Sequence, residues 1–159
     1  VGKKSVMEAA QSTFISSTFW TERIGPTAAL ATLEIMEREK SWKTITATGG
    51  KMQKGWKDLA KSHGLDITVS GIPAMTTYSF NSENSAIYKT FITQEMLKKG
   101  FLASTNFYAC TAHKEKHLNL YFEALDGIYA IIAKCESEVL NSSDLLEGPV
   151  CHSGFKRLN

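Results

Sequence analysis

Asp66-Ile67-Thr68-Val69-Ser70, then Gly71-Ile72-Pro73, then Ala74-Met75-Thr76-Thr77-Tyr78-Ser79-Phe80: apolar and polar residues alternate on both sides of a break that carries glycine and proline. A period of two puts every second side chain on one face of an extended backbone, so these segments predict two strands. No crossover helix fits between them, which favours an antiparallel pairing.

The flanking sequence has the other period. Upstream, Ser41 stands where a cap would start a helix in which Ile45, Met52, Trp56 and Leu59 recur, and Gly64 ends it. Gly49 and Gly50 lie inside this helix; each costs about 1 kcal/mol against alanine there, so the pair implies a kink or a close approach by another backbone. Further upstream, Pro26 suits a first helical position and opens a helix carrying Leu30, Leu33 and Met36, with Ala28, Ala29 and Ala31 allowing close packing. Lys4 to Gln11 predicts a short helix and Ser12 to Phe19 an extended segment leading into a loop.

Downstream, a helix over 85–99 carries Ile87, Phe91, Met96 and Leu97 and stops at Gly100, after which Phe101-Leu102-Ala103-Ser104 predicts another strand. The last long helix, 114–135, presents Leu118, Tyr121, Phe122, Leu125, Ile128 and Ile132 at steps of three and four, a stripe that should face the sheet. Residues 136–159 read as an extended tail with one short helical turn around Asp144 to Leu146. The order of elements predicts an α+β layer: an antiparallel or mixed sheet of about three to four strands, covered on one face by helices and preceded by long connecting helices.

The bulk composition bounds the function. In 159 residues, 43% hydrophobic and 21% charged content is ordinary for a globular protein, and the net charge of +2 arises from 18 basic and 16 acidic residues spread along the chain. Nothing in that balance calls for nucleic acid or an anionic membrane. No run of about 18 apolar residues offers a membrane span, and the first residues have no apolar signal core. Cys110, Cys135 and Cys151 are odd in number and irregular in spacing, which favours a reducing compartment over a disulfide framework. Asn141-Ser142-Ser143 fits a glycosylation pattern but has no secretory context. The expectation is a cytoplasmic protein, and a start on Val inside continuing structure suggests a fragment or a processed product.

Several residue sets invite chemistry. Gly50 and Gly55 have the separation of a phosphate loop, but Trp56 stands where the loop needs lysine. Cys110, His113 and His117 could converge on zinc with Cys151 or His152 as a fourth ligand; the competing and favoured reading is a capping His113 and a solvent-facing His117. Lys3 and Lys4 lie side by side, which suggests exposure rather than the desolvated setting of a catalytic lysine. Ser16-Ser17-Thr18-Phe19-Trp20-Thr21-Glu22-Arg23-Ile24-Gly25-Pro26 places hydroxyls and amides before a helix start, where the dipole and unpaired N–H groups attract anions. On these residues alone, a plain capping loop remains the stronger of the two readings.

Ser17-Thr18-Phe19, Pro26 and Ala28-Ala29-Leu30-Ala31-Thr32-Leu33-Glu34, followed by Gly71-Ile72-Pro73-Ala74-Met75, Met96-Leu97-Lys98-Lys99-Gly100-Phe101 and Ala112-His113, form an ordered series. The series resembles the class III aminotransferases, fold type I enzymes that use pyridoxal 5'-phosphate, and is most similar to glutamate-1-semialdehyde aminomutases. The resemblance runs from about Gly2 to Lys134 and implies the C-terminal portion of such an enzyme. It implies that residues 1–25 end a large cofactor-binding domain, 26–63 form connecting helices, 64–136 a small α+β domain and 137–159 a tail. It also implies that Thr18, with Ser17 beside it, contacts the cofactor phosphate across a homodimer interface. The lysine that holds the cofactor covalently, the aspartate at its ring nitrogen and the stacking aromatic would lie before Val1, so no catalytic residue is expected in this chain and it should be inactive alone. The substrate expected is a small amino acid or amino aldehyde. Tyr108 stands where the family often has an acidic residue, and the loop between Thr18 and Pro26 is longer than usual; the amino donor and acceptor are therefore left open. The alternative is a non-catalytic α+β binding or dimerisation module.

Overall fold

The computed structural model describes residues 3–10, 12 and 22–152. The chain divides into two compact units, Val1–Lys40 and Ser41–Asn159. The first contains α1 (Lys4–Ala10) and α2 (Ile24–Glu39). The second contains α3 (Ser41–Ser62), β1 (Ile67–Ile72), β2 (Met75–Phe80), α4 (Ser85–Lys98), β3 (Asn106–Tyr108), α5 (Glu115–Glu136) and a 3-10 turn at Ser142–Leu145. The extended segment expected between Ser12 and Phe19 lies, beyond Ser12, outside the described residues.

In the first unit, α2 starts at Ile24, two residues before the expected Pro26. The Glu22 carboxylate explains the earlier start. It accepts from the backbone N–H of Ile24 and, at 3.0 Å, from that of Gly25. Pro26 has no N–H to satisfy, and Thr27 N–H already donates to Arg23 C=O. Among the described residues α2 buries none, and Leu30 and Leu33 remain more than 60% exposed. Lys40, in the left-handed region at φ 48°, terminates the helix.

The second unit is an α+β layer. Among the described residues its sheet has three strands in the order β1-β2-β3, antiparallel throughout. Register fixes two faces: Ile67 opposes Phe80, Val69 opposes Tyr78, and Thr76 opposes Phe107 on the side facing the helices. Thr76, Tyr78 and Phe80 are buried at alternate positions along β2, as the period of two requires. The other face is polar toward one end, and Ile72, Met75 and Tyr108 form an exposed apolar row across the hairpin end.

Two features of α3 differ in detail from the sequence reading. Ser41 does not cap the helix, because its hydroxyl is buried without a hydrogen-bond partner. Gly49 is the site of a close approach: a Cβ there would lie 1.6 Å from the carbonyl oxygen of Pro73 in the β1–β2 turn. Gly50, its neighbour, has nothing within 4 Å of the same hypothetical atom. One turn further on, Gln53 Nε2 donates to Gly71 C=O at 3.1 Å and to Thr76 Oγ1 at 3.0 Å, so α3 grips the hairpin with backbone contact and amide together.

The expected strand at Phe101–Ser104 is not formed; β3 lies at Asn106–Tyr108 instead. Gly100, at φ 83°, turns the chain at the end of α4, and Phe101 N–H folds back to Met96 C=O at 2.9 Å. Those bonds close the helix and keep the following residues from the sheet. Pairing with β2 begins only at Thr105, whose carbonyl accepts from Tyr78 N–H at 3.0 Å.

The core is aromatic. Trp56, Tyr78, Tyr88, Tyr129, Leu125 and Ile132 are buried between α3, α4, α5 and the sheet, each large side chain contributing about 1.5–3 kcal/mol by leaving water. Phe80 meets Tyr78, Tyr88 and Tyr129 edge-on at 5.4–5.9 Å. The stripe of α5 is placed as its spacing predicts, with Leu118, Tyr121, Leu125, Ile128 and Ile132 buried and Phe122 set against Gly55 of α3. Beyond α5 the tail is held on α4. The Gln94 side chain donates to Leu145 C=O and accepts from Glu147 N–H, and Thr90 Oγ1 accepts from Cys151 N–H. No described helix is long and apolar enough to cross a membrane.

Candidate functional site

Ser17 and Thr18, the residues expected at a cofactor phosphate, lie outside the described residues. The helix that follows them is described, and its N-terminus is not open to an anion. Glu22 occupies the amides of Ile24 and Gly25, and Pro26 contributes none. A carboxylate at a helix start is the charge the dipole favours, so the position is already neutralised from within the chain.

The other sequence candidates are dispersed. Gly50 to Trp56 is continuous helix, with Trp56 fully buried, and forms no phosphate loop. Lys4 is exposed and pairs with Glu8 at 3.9 Å, a surface contact worth well under 1 kcal/mol. Cys151 packs on α4, its thiol directed to Ala86 C=O, whereas Cys110, His113 and His117 sit around the start of α5. No group of three His, Cys, Asp or Glu among the described residues is arranged to hold a metal ion.

The two histidines do have a defined arrangement. His113 Nδ1 accepts from Cys110 N–H at 3.1 Å and faces the Cys110 sulfur at 3.3 Å. His117 Nδ1 accepts from Lys114 N–H at 3.2 Å, closing the first turn of α5 in the manner of a capping box. His117 is exposed, as expected, and in addition caps the helix, while His113 caps the turn before it. Backbone N–H groups can only donate, so both imidazoles carry their proton on Nε2. Metal binding at Nε2 would force Nδ1–H against those N–H donors, which argues against zinc here. Burial and the neighbouring His117 hold His113 below the usual histidine range, which keeps it neutral.

Both histidines line a groove of about 310 Å³ between α3, the 101–108 segment and the start of α5. Its walls are Met52, Phe101, Leu102, Phe107, Leu118 and Tyr121; Phe107 also stacks on His113 with ring centroids 4.7 Å apart. Sequence spacing singled out His113 and His117 but not this groove, because it forms only where the irregular 101–108 segment folds against α5 and Met52 of α3 closes one side.

The comparisons with known proteins bear on the chain as a whole. No protein-family model matches it. It is 28% identical over 140 residues to 3-aminobutyryl-CoA aminotransferase of Cloacimonas acidaminovorans, covering 84% of this chain and 34% of that protein. It is 25% identical over 139 residues to glutamate-1-semialdehyde 2,1-aminomutase of Methanococcoides burtonii, covering 77% and 33%. Among solved structures, FumI of Sphingopyxis sp. MTA144, in its PLP internal aldimine form, superposes with a TM-score of 0.75 at 21% identity, over 92% of this chain and 36% of that one. The homologues are class III pyridoxal-phosphate aminotransferases, an aminomutase among them, as the sequence resemblance implied. The fold matches the C-terminal domain of an aminotransferase. The chain spans about a third of the length of these relatives.

Proposed function

We propose that this chain is the C-terminal part of a pyridoxal-phosphate-dependent aminotransferase or aminomutase, and that its own contribution to the chemistry is one contact to the cofactor phosphate. The observation that carries the reading is the match over 77–84% of the chain to enzymes that move amino groups on different substrates. When bound, pyridoxal phosphate supplies the carbonyl that captures an amino group and the ring that takes up the electrons. Thr18 and Ser17 offer the donor set for the phosphate: hydroxyls that donate to its oxygens without adding charge. Because Glu22 fills the start of α2, those hydroxyls act without help from the helix dipole.

In this reading residues 1–25 end the large domain, 26–63 connect, 64–136 form the small domain and 137–159 the tail. The enzyme is a cytoplasmic homodimer acting on an amino acid or amino aldehyde, with Thr18 reaching the phosphate held by the partner subunit. The exposed apolar residues of α2, Leu30 and Leu33, support a surface covered elsewhere in the protein.

The test uses the whole polypeptide that carries this chain. It should bind the cofactor and transfer an amino group. Thr18→Ala should weaken cofactor binding by about 10-fold to 100-fold, the worth of a hydrogen bond to a charged group. A whole protein that binds no pyridoxal phosphate would refute the reading and leave the non-catalytic module.

A further inference from the structure

We propose that the groove at the start of α5 is a binding site for an apolar chain that ends in a carboxylate or acyl oxygen. Two kinds of observation converge on it. The first is the pair of fixed donors. Cys110 N–H and Lys114 N–H lock His113 and His117 in the same tautomer, so both offer Nε2–H, and among the described residues neither Nε2–H has an acceptor. Phe107 stacks on His113 and holds that ring in place. The donors therefore stand oriented before any ligand arrives, which lowers the ordering cost of binding.

The second observation is the wall. Phe101, Leu102 and Phe107 line an apolar trough of about 310 Å³, at the small end of the range for ligand sites. Leu102 is 98% exposed, an arrangement that costs free energy in water and gains it when an apolar chain lies against the side chain. Apolar walls lined by two imidazole donors select an oxygen acceptor on an apolar body and disfavour an ammonium group, which would point its own N–H bonds at Nε2–H. In the proposed enzyme this gives the non-reacting acyl end of a substrate a place to bind; that consequence rests on the aminotransferase reading, whereas the site does not.

Calorimetric titration of the whole polypeptide with octanoate, and separately with octylammonium, tests the site. Octanoate should bind saturably and at least 10-fold more tightly than octylammonium. His117→Glu keeps an acceptor for Lys114 N–H, and so the cap, but replaces the donor by a negative charge; it should abolish octanoate binding. Leu102→Ser alters a side chain with no packing role and should weaken binding several-fold. No saturable heat with octanoate, equal affinity for the two probes, or unchanged affinity in His117→Glu would overturn the proposal. Occupation of the groove by other residues of the polypeptide would appear as the first of these. The assay reads no amino transfer, so its failure is distinct from failure of the proposed enzymatic function.

Discussion

Gly49→Ala and Gly50→Ala should change stability in opposite directions although the two residues are neighbours in one helix. At Gly50 the added methyl meets nothing within 4 Å, so the helix gains the ordinary preference for alanine and the unfolded chain loses freedom, a stabilisation of about 0.5–1 kcal/mol. At Gly49 the same methyl would stand 1.6 Å from the Pro73 carbonyl oxygen and 2.3 Å from its carbon. Both atoms are backbone, so no side chain can rotate away, and α3 or the hairpin must retreat by about 2 Å to reach normal contact. That movement would also stretch the two Gln53 bonds that hold the hairpin. Overpacking of this kind costs about 3 kcal/mol, which swamps the helix-preference gain. Urea unfolding of the two variants beside the parent measures the difference. Gly49→Ala that is neutral or stabilising would refute the close approach of α3 to the turn.

Other outcomes follow from single contacts. Trp56→Phe removes the indole N–H that donates to Tyr121 Oη at 3.0 Å in a fully buried site and should cost about 2–3 kcal/mol, read from the same unfolding midpoints. Burial raises the phenol of Tyr121 to about 12, and burial with the Glu136 hydrogen bond raises that of Tyr88 to about 12; Tyr78 is also pushed up, chiefly by burial. These tyrosines ionise in the unfolded chain near pH 10 but not in the fold, so stability is full below pH 10 and should fall as pH rises from 10 toward 12. Urea midpoints across that interval check the direction, and a flat profile would contradict it. Gln94→Ala removes both bonds to the tail backbone and should speed proteolytic cleavage within residues 139–152 while leaving α4 intact, as mass spectrometry of early fragments would show.

Where structure is set by local period, the sequence was sufficient. β1, β2 and α5 are found within a residue or two of the reading because alternation at Ile67–Phe80 and the stripe from Leu118 to Ile132 each bury one continuous face. Misplacement of the third strand has the opposite cause: β3 is only three residues long, too short for a period, and the return of Phe101 to Met96 is a helix-end bond rather than a hydrophobic signal. The glycine pair implied a kink or a close approach, and only the position of Pro73 decides for the second and distinguishes Gly49 from Gly50. For the histidines, spacing suggested a shared ligand, while the donors that fix their tautomers are backbone atoms that spacing cannot weigh. Thr18 rests on resemblance from first to last, since it lies outside the described residues.

The grip of Gln94 on the tail runs through main-chain atoms, Leu145 C=O and Glu147 N–H, and Thr90 likewise takes the amide of Cys151. Every residue except proline presents the same N–H and C=O. Part of the tail's path is thus set by α4 whatever side chains the tail carries. That part of the hold is lost only if proline enters at 147 or 151, whereas the packing of Leu145 and Leu146 on the core and the pairing of Glu147 with Lys98 at 2.6 Å do depend on residue identity.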